Sequence, residues 1–550
     1  MAKIPDYDPA VPVGLMLGGD CPQANEVVEV VPSANDGPYG KRTRLGWCVI
    51  GPIARCSASN FVHSNYTSLR GNIPVKDVIS GNVASHSFFT NDPPEDPYKG
   101  MLNRMYQEDF NEVNGEKEGL SVEDRRFLQI MKDGVSKVNN HYQLPLPIRN
   151  IDLRLPNNRF QASKRLTSLK RRMAADPEFC ASYNNIIQGM LSSGYARRAD
   201  PSKDRPGEVW YVLHFGVFNP KKGKLRVVFD FAAKFKGRCL NSELIPGPNL
   251  INLMIGVLIR FRKEQIAYMA DIEAMYHQVL VPEGQRSLLR FLFWPDGDLS
   301  AEPIDMEMCV HPFGAVSSGS CSNYALRQTA DDNESEIGSG AATTLRRDFY
   351  IDDNLKSMET VAKALAMFNA TRKMCAAGGF KLTKFVSNSP ELTEAVPSEC
   401  RASPLVDLSM SKQQLPLERA LGVFWCIEND MLQFRITLQD KPMTRRGVLA
   451  TIGSIHDPTG VAGSFLLPGR KVLQAITKLK GEWDDDLPSD LRSEWEKWRA
   501  EIPKLESIKV HRCYKPPGFN SATASLHSFS DVSWYGMVWY LYLTMGTVKL

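Results

Sequence analysis

The sequence is short of several things whose absence narrows its function. No apolar run reaches the ~18 residues that a membrane span requires, and the polar N-terminus lacks a signal-peptide pattern. The 11 cysteines are scattered and form no Cys-x-x-Cys pair. Neither a zinc site nor a disulfide framework is therefore indicated, which fits a reducing, intracellular setting. No Asp-Thr-Gly or Asp-Ser-Gly triplet occurs anywhere, so an aspartic-protease activity is not carried. Net charge is also scarce, at +4.

That small net charge hides an uneven distribution. Between Arg149 and Arg238 there are 19 Lys and Arg against 7 Asp and Glu, and the rest of the chain is acidic to compensate. A basic block beside an acid-bearing centre suits a protein that handles a polyanion, although charge runs are more often plain solvated faces. Apolar content of 43% and charged content of 23% are those of an ordinary soluble globular protein. The length of 550 residues suits about three or four domains.

The centre of the reading is Tyr350-Ile351-Asp352-Asp353. Aromatic and β-branched residues favour extended backbone, and Asp and Asn tolerate turns, so the spacing predicts a short strand running into a tight turn. Two adjacent carboxylates at the end of an apolar strand repel each other unless a cation neutralises them. Hard oxygen ligands suit Mg²⁺, which commonly takes one or two carboxylates and completes its shell with water and substrate phosphates. A bare Asp-Asp pair is more often a solvated turn, and Asp331-Asp332, in a polar stretch, is read that way. A third acid upstream favours the functional reading of Asp352 and Asp353. In Ile266 to Val279 a strand delivers Asp271 to its end, where a helical turn begins at Ile272. There Asp271 can meet Asp352, and together they can hold two Mg²⁺ ions; taken alone, Asp271 would be an ordinary helix N-cap.

The flanking stretches follow in order. Residues 11–52 read as short strands, and 53–140 as a polar linker with a helix near Val122 to Val138. Helices are expected from Ala162 to Met173, rich in Lys and Arg, and from Pro177 to Leu191. They are either a surface hairpin or a basic entrance to a nucleic-acid channel. Val209 to Phe231 reads as two strands joined by the basic turn Asn219 to Lys224. A mobile hairpin tipped with Lys221, Lys222 and Lys224 can close over a triphosphate, and Arg226 sits inside the returning strand. His311 to Ser320 opens a helix of small residues, which allow close approach of a backbone or flat ring.

In sequence, these pieces resemble the reverse transcriptase of BEL/Pao retroelements, from about Tyr142 to Tyr514. Lys224 to Asp230 is similar to the fingers motif, Tyr268 to Val279 and Phe313 to Leu326 to two palm motifs, and Tyr350 to Asp353 to the Tyr-x-Asp-Asp box. Gly379 to Asn388, Leu421 to Trp425 (the primer-gripping turn) and Ile455 to Gly460 (Asp-Pro-x-Gly) complete the set. Leu15 to Asp20 and Arg42 to Gly51 resemble the end of the family's retropepsin-like protease. Leu526 to Leu543 resembles the first hairpin of its RNase H domain, with Asp531 as the first carboxylate.

The resemblance implies an α+β right-hand polymerase of fingers, palm and thumb, with an antiparallel palm sheet backed by helices and incomplete β-rich domains at the flanks. Its expected divisions are a protease remnant (1–55), a polar linker with helix (56–140), a basic helical lead-in (141–205), fingers and palm (206–395), primer grip, thumb and connection (396–515), and a truncated RNase H-like start (520–550). It implies Asp271 and Asp352 as principal ligands of two Mg²⁺ ions, or Mn²⁺ in their place, with Asp353 and the Ile272 carbonyl assisting. Tyr276 would exclude a 2′-hydroxyl by bulk. Arg226 and one of Lys221, Lys222 or Lys224 would bind phosphates, and Phe313 and Gly314 would pack on the new base pair. Lys384, rather than Lys381, would protonate pyrophosphate. The implied partners are an RNA or DNA template with primer, and dNTPs, with no membrane. The implied location is a cytoplasmic particle or the nucleus. No RNase H activity is expected from a lone Asp531. The family's Ser-Ser-Pro is here Ser317-Ser318-Gly319, a departure that loosens the loop by roughly 1 kcal/mol of backbone order. The alternative reading is a degenerate or domesticated nucleic-acid-binding protein that no longer polymerises.

Overall fold

The computed structural model describes residues 27–31, 39–43, 46–50, 63–68, 120–150, 152–204, 207–219, 223–402, 417–421, 423–479, 481–515, 524–533 and 536–545. Its class is α+β, and its sheets are built from antiparallel ladders. Among the described residues no helix is long and apolar enough to cross a membrane.

The first strands are β1 (Val27–Val31), β2 (Tyr39–Thr43), β3 (Gly46–Ile50) and β4 (His63–Ser68). The strand expected at Val11 to Asp20 lies outside the described residues, and β4 falls in a stretch expected to be linker. Helix α1 (Val122–Gly134) starts at a capping box, in which Ser121 and Asp124 each accept the other's backbone N–H. It ends before Val138, because Ser136–Val138 pairs as a strand with His141–Gln143. The basic pair is α2 (Arg159–Ala175) and α3 (Pro177–Ser192). Helix α2 buries Leu166, Leu169 and Met173 and exposes Lys164, Arg165, Lys170 and Arg171, the amphipathic split its spacing predicts. Beside it stands the hairpin β5 (Leu213–Asn219) and β6 (Lys224–Asp230), held by Arg172 donating to the Gly216 carbonyl at 3.1 Å.

The central unit comprises α4 (Met254–Phe261), β7 (Ile266–Ile272), α5 (Ser318–Ile337), α6 (Ser339–Arg347), β8 (Phe349–Tyr350), β9 (Asp353–Met358), α7 (Val361–Ala377) and β10 (Leu382–Ser387). Its four strands run in the order β8-β9-β7-β10, each pair antiparallel. Strand β7 is covered on both faces, which is why its sequence is a nearly unbroken apolar run. Tyr268, Ala270 and Ile272 pack with residues of α5, α6 and α7, whereas Ala267 and Met269 pack with Val257, Leu258 and Phe261 of α4. Asp271 follows 267 and 269 on the second face, at the point where that covering layer ends.

Asp331 and Asp332 do not form the solvated turn that their composition suggests. They lie inside α5, where Asp331 pairs with Arg346 at 2.5 Å and Asp332 accepts the Tyr142 hydroxyl at 2.6 Å. Tertiary partners override their weak helix preference.

A second four-stranded sheet has the order β11 (Leu417–Ala420), β12 (Val423–Cys426), β13 (Met431–Gln433), then a strand contributed from beyond the helices α8 (Arg445–Gly453), α9 (Gly463–Lys478) and α10 (Ser489–Glu501). That returning strand is β14 (Lys509–His511). The Asp-Pro-x-Gly stretch joins sheet to helices: the His456 ring donates to the Leu421 carbonyl at 2.9 Å, and Asp457 accepts the Val461 and Ala462 N–H groups at 3.0 and 2.7 Å, closing the turn that leads into α9. The last strands, β15 (Ala524–Ser533) and β16 (Gly536–Met545), form the expected hairpin. Strand β15 also pairs with β4, so both ends of the chain share one six-stranded sheet. Sequence patterning assigns those ends to separate incomplete units; the ladder joins them because each satisfies the other's open edge.

Candidate active site

Asp271 and Asp353 are register partners across β7 and β9, and the Ile272 N–H donates to the Asp352 carbonyl at 2.9 Å. Folding therefore brings together the three acids that the sequence singled out. The turn carrying Asp352 is a two-residue hairpin, since Tyr350 pairs with Asp353. Ile351 within it has φ of 57°, a left-handed conformation that costs a β-branched side chain about 1–3 kcal/mol. Strain of this kind persists only where the surroundings impose it.

The electrostatics follow from crowding. Burial raises the Asp353 carboxyl to about 7, and the Asp352 and Asp271 charges add to the rise while Lys384 opposes it. Asp352 is raised as well, by burial and then by Asp271, again opposed by Lys384. Lys384 reaches the acids because β10 is irregular: φ is 55° at this residue, and the ladder with β7 slips between Met269 and Asp271. Its ammonium lies 2.8 Å from Asp271 Oδ1. Lys381 is turned to Glu273 instead, at 2.8 Å.

Among the described residues no group of three or more His, Cys, Asp or Glu side chains is placed so that it could hold a metal ion. The donor set that is present, hard carboxylate oxygens held in mutual repulsion, fits Mg²⁺ or Mn²⁺, which leave much of the shell to water and phosphate. Asp271, Asp352 and Asp353 are the residues that would hold such an ion.

Next to the acids lies an aromatic platform. Tyr276 stands in the 3-10 turn Met275–Gln278, and its ring stacks on Phe313 with centroids 4.5 Å apart and planes at 29°. Burial, and then the Asp352 charge, raise the Tyr276 hydroxyl above its usual range. Phe313 remains 53% exposed. Gly314 has φ of 103°, and a Cβ there would stand 2.8 Å from the Phe229 carbonyl, so only glycine fits. Asn241, which sequence reading missed, fastens this loop from both sides: it donates to the Gly314 carbonyl at 3.1 Å and accepts the Val316 N–H at 3.0 Å. Its only sequence signal was a polar residue beside a cysteine and a leucine, which is no signal at all.

Lys224 and Arg226 are exposed on β6, and neither pairs with the three acids. Among the described residues, the Phe229 carbonyl and the Phe231 ring that follows the hairpin lie against Gly314. Lys221 and Lys222 lie outside the described residues, as does Gly422 in the gripping turn.

Residues 444–549 match the family model described as the Pao retrotransposon-like RNaseH-like domain. The chain carries a Pao-type retroelement segment. This Pao-type segment takes in α8 to α10, β14 and the final hairpin, and so begins well before residue 520. Among curated proteins no relative of the sequence is found. Among solved structures, one match is a foamy viral protease-reverse transcriptase dRH in complex with double-stranded DNA. It is 12% identical, with a TM-score of 0.43, covering 95% of this chain and 83% of that chain.

Proposed function

We propose that this Pao-type chain is an RNA-directed DNA polymerase that transfers nucleotides from dNTPs to a primer 3′-hydroxyl. The observation that carries the reading is the convergence of Asp271, Asp352 and Asp353 on adjacent antiparallel strands, with the half-buried Tyr276 stacked on the exposed Phe313. Two Mg²⁺ ions held by these acids, with the Ile272 carbonyl, would supply charge neutralisation and a more acidic primer hydroxyl.

The chain's own residues do the rest. Tyr276, propped by Phe313, lies under the incoming sugar and excludes a 2′-hydroxyl by bulk. Phe313 and Gly314 present a flat, close surface to the new base pair. Arg226, with Lys224 and Lys222, binds the triphosphate, Arg through its planar fork. Lys384 delivers a proton to the leaving pyrophosphate.

A second reading, a nucleic-acid-binding protein without polymerase activity, draws on the Lys384–Asp271 ion pair and on Gly319. Primer extension on poly(rA)/oligo(dT) with Mg²⁺, comparing the parent with Asp352→Asn, separates the two. Extension that disappears in the variant supports the polymerase. Primer-template binding without extension in the parent supports the second reading.

A further inference from the structure

Asp348 is an acid in a place that local rules disfavour. It caps the C-terminus of α6, where the helix's partial negative charge repels a carboxylate, and its side chain is 3% exposed. Two cations from other elements compensate. Arg260 Nε, in the last turn of α4, donates to one carboxylate oxygen at 2.7 Å, and Lys356 Nζ, from β9, lies 2.5 Å from the other. Arg260 also donates to the Arg347 carbonyl, and its own carbonyl accepts the Ser357 hydroxyl at 2.9 Å. The Asp348 carbonyl accepts the Leu355 N–H at 3.0 Å and the Asn354 side-chain amide at 3.1 Å.

Every one of these bonds clamps the root of the hairpin that carries Asp352. That hairpin needs a clamp, because β8 contributes only two ladder pairs, Phe349↔Asn354 and Tyr350↔Asp353, and its turn holds Ile351 at φ of 57°. A strand this short cannot hold a strained turn in register by its own ladder.

We propose that Asp348, bridging Arg260 and Lys356, is a positioning residue that holds Asp352 and Asp353 in the register needed to bind a divalent cation. The inference rests on reading those acids as cation ligands, not on what the cation is then used for. Groups that orient metal-binding carboxylates typically alter affinity by about 10–100-fold when lost. Removing Asp348 leaves Arg260 and Lys356, 28% and 18% exposed, without the carboxylate that joins them.

The test is Mn²⁺ binding to the full chain, followed by electron paramagnetic resonance, for the parent, Asp352→Asn, Asp348→Asn and the milder Lys356→Met. Circular dichroism and thermal melts report the folded fraction. Asp348→Asn is expected to weaken Mn²⁺ binding by about 10–100-fold, and Lys356→Met to shift it less in the same direction. The half-saturating Mg²⁺ for any primer extension rises by the same factor, with KM for primer-template unchanged. A variant whose folded fraction falls while the Mn²⁺ affinity of the folded protein stays at the parent value overturns the inference. So does a parent that binds no Mn²⁺. A parent that binds Mn²⁺ through Asp352 yet extends no primer refutes the polymerase reading, and leaves this one to be decided by the titrations.

Discussion

Lys384 places its ammonium 2.8 Å from Asp271 Oδ1, so the acid at the end of β7 is already paired with a cation of the chain itself. The lysine side chain is 65% exposed, and solvent screens a pair of that kind to well under about 1 kcal/mol of stability. Lys384→Met should therefore melt close to the parent. If Lys384 donates the proton to pyrophosphate, single-nucleotide incorporation should fall by about 100-fold, the lower range for general acid catalysis. Rapid-quench kinetics beside a thermal melt reads both. Unchanged incorporation would remove Lys384 from the chemistry.

The raised carboxyls predict an unusual pH profile in the absence of divalent metal. Asp353 is held at about 7 in the folded protein, above its unfolded value near 4. The native state then binds more protons than the unfolded state between those values, so stability falls as pH rises through that window and levels off above it. Asp352 contributes in the same direction. A saturating divalent cation favours the ionised acids and should flatten the decline. Asp353→Asn should flatten it without metal. Melting temperatures from pH 4 to 8, with EDTA or with Mg²⁺, provide the check.

What sequence made legible and what it did not divide along physical lines. The strand before Asp271 was readable because burial on both faces leaves an apolar run, and the hairpin at Asp352 because turn chemistry follows an aromatic-Ile pair. The boundaries of α2, α3 and the β5–β6 hairpin fell within a few residues of expectation for the same local reasons. Asp331 and Asp332 were misread, since Arg346 and Tyr142, which hold them in α5, are remote in sequence. Asn241 and the roles of His456 and Asp457 were invisible, because each acts through backbone atoms that carry no side-chain signature. The pairing of β4 with β15 joins residues at opposite ends of the chain, which no local pattern reports.

Gly319 sits in the first turn of α5, and a Cβ there would meet only the Tyr276 hydroxyl, at an ordinary 3.5 Å. The position thus has room for a side chain and does not require glycine's freedom. Gly319→Ala should raise stability by about 0.5–1 kcal/mol. Gly319→Pro should gain about 0.4–1 kcal/mol by restricting the unfolded chain, because proline is tolerated in a first helical turn. Urea unfolding of both variants tests this. A loss in either would mean that the loop needs a conformation only glycine supplies.

Tyr276 is judged by sugar selectivity. Its ring stacks on Phe313 next to the acids, so Tyr276→Ala should open the space beneath the sugar. The ratio of ribonucleotide to deoxyribonucleotide incorporation should rise by at least about 10-fold, the upper end of what one hydrophobic contact discriminates being roughly 200-fold. Equal ratios in parent and variant would assign the stack a purely structural role.

Arg512 ties the Pao-type segment to the central sheet. It is fully buried, grips both oxygens of Asp430 at 2.7 and 2.8 Å, and donates to the Phe261 and Gln265 carbonyls at 2.6 and 2.8 Å. The Trp425 indole N–H, from β12, shares the same Asp430 at 2.9 Å. Arg512→Ala leaves the half-buried Asp430 carboxylate and two carbonyls without their partner, which should cost about 1–3 kcal/mol for each buried group left unsatisfied. Adding Asp430→Ala removes the orphaned charge, so the double variant should lose less than the sum of the singles. Denaturant unfolding of the four proteins measures that coupling. Strict additivity would mean that the segment after α10 docks on the central unit without this anchor.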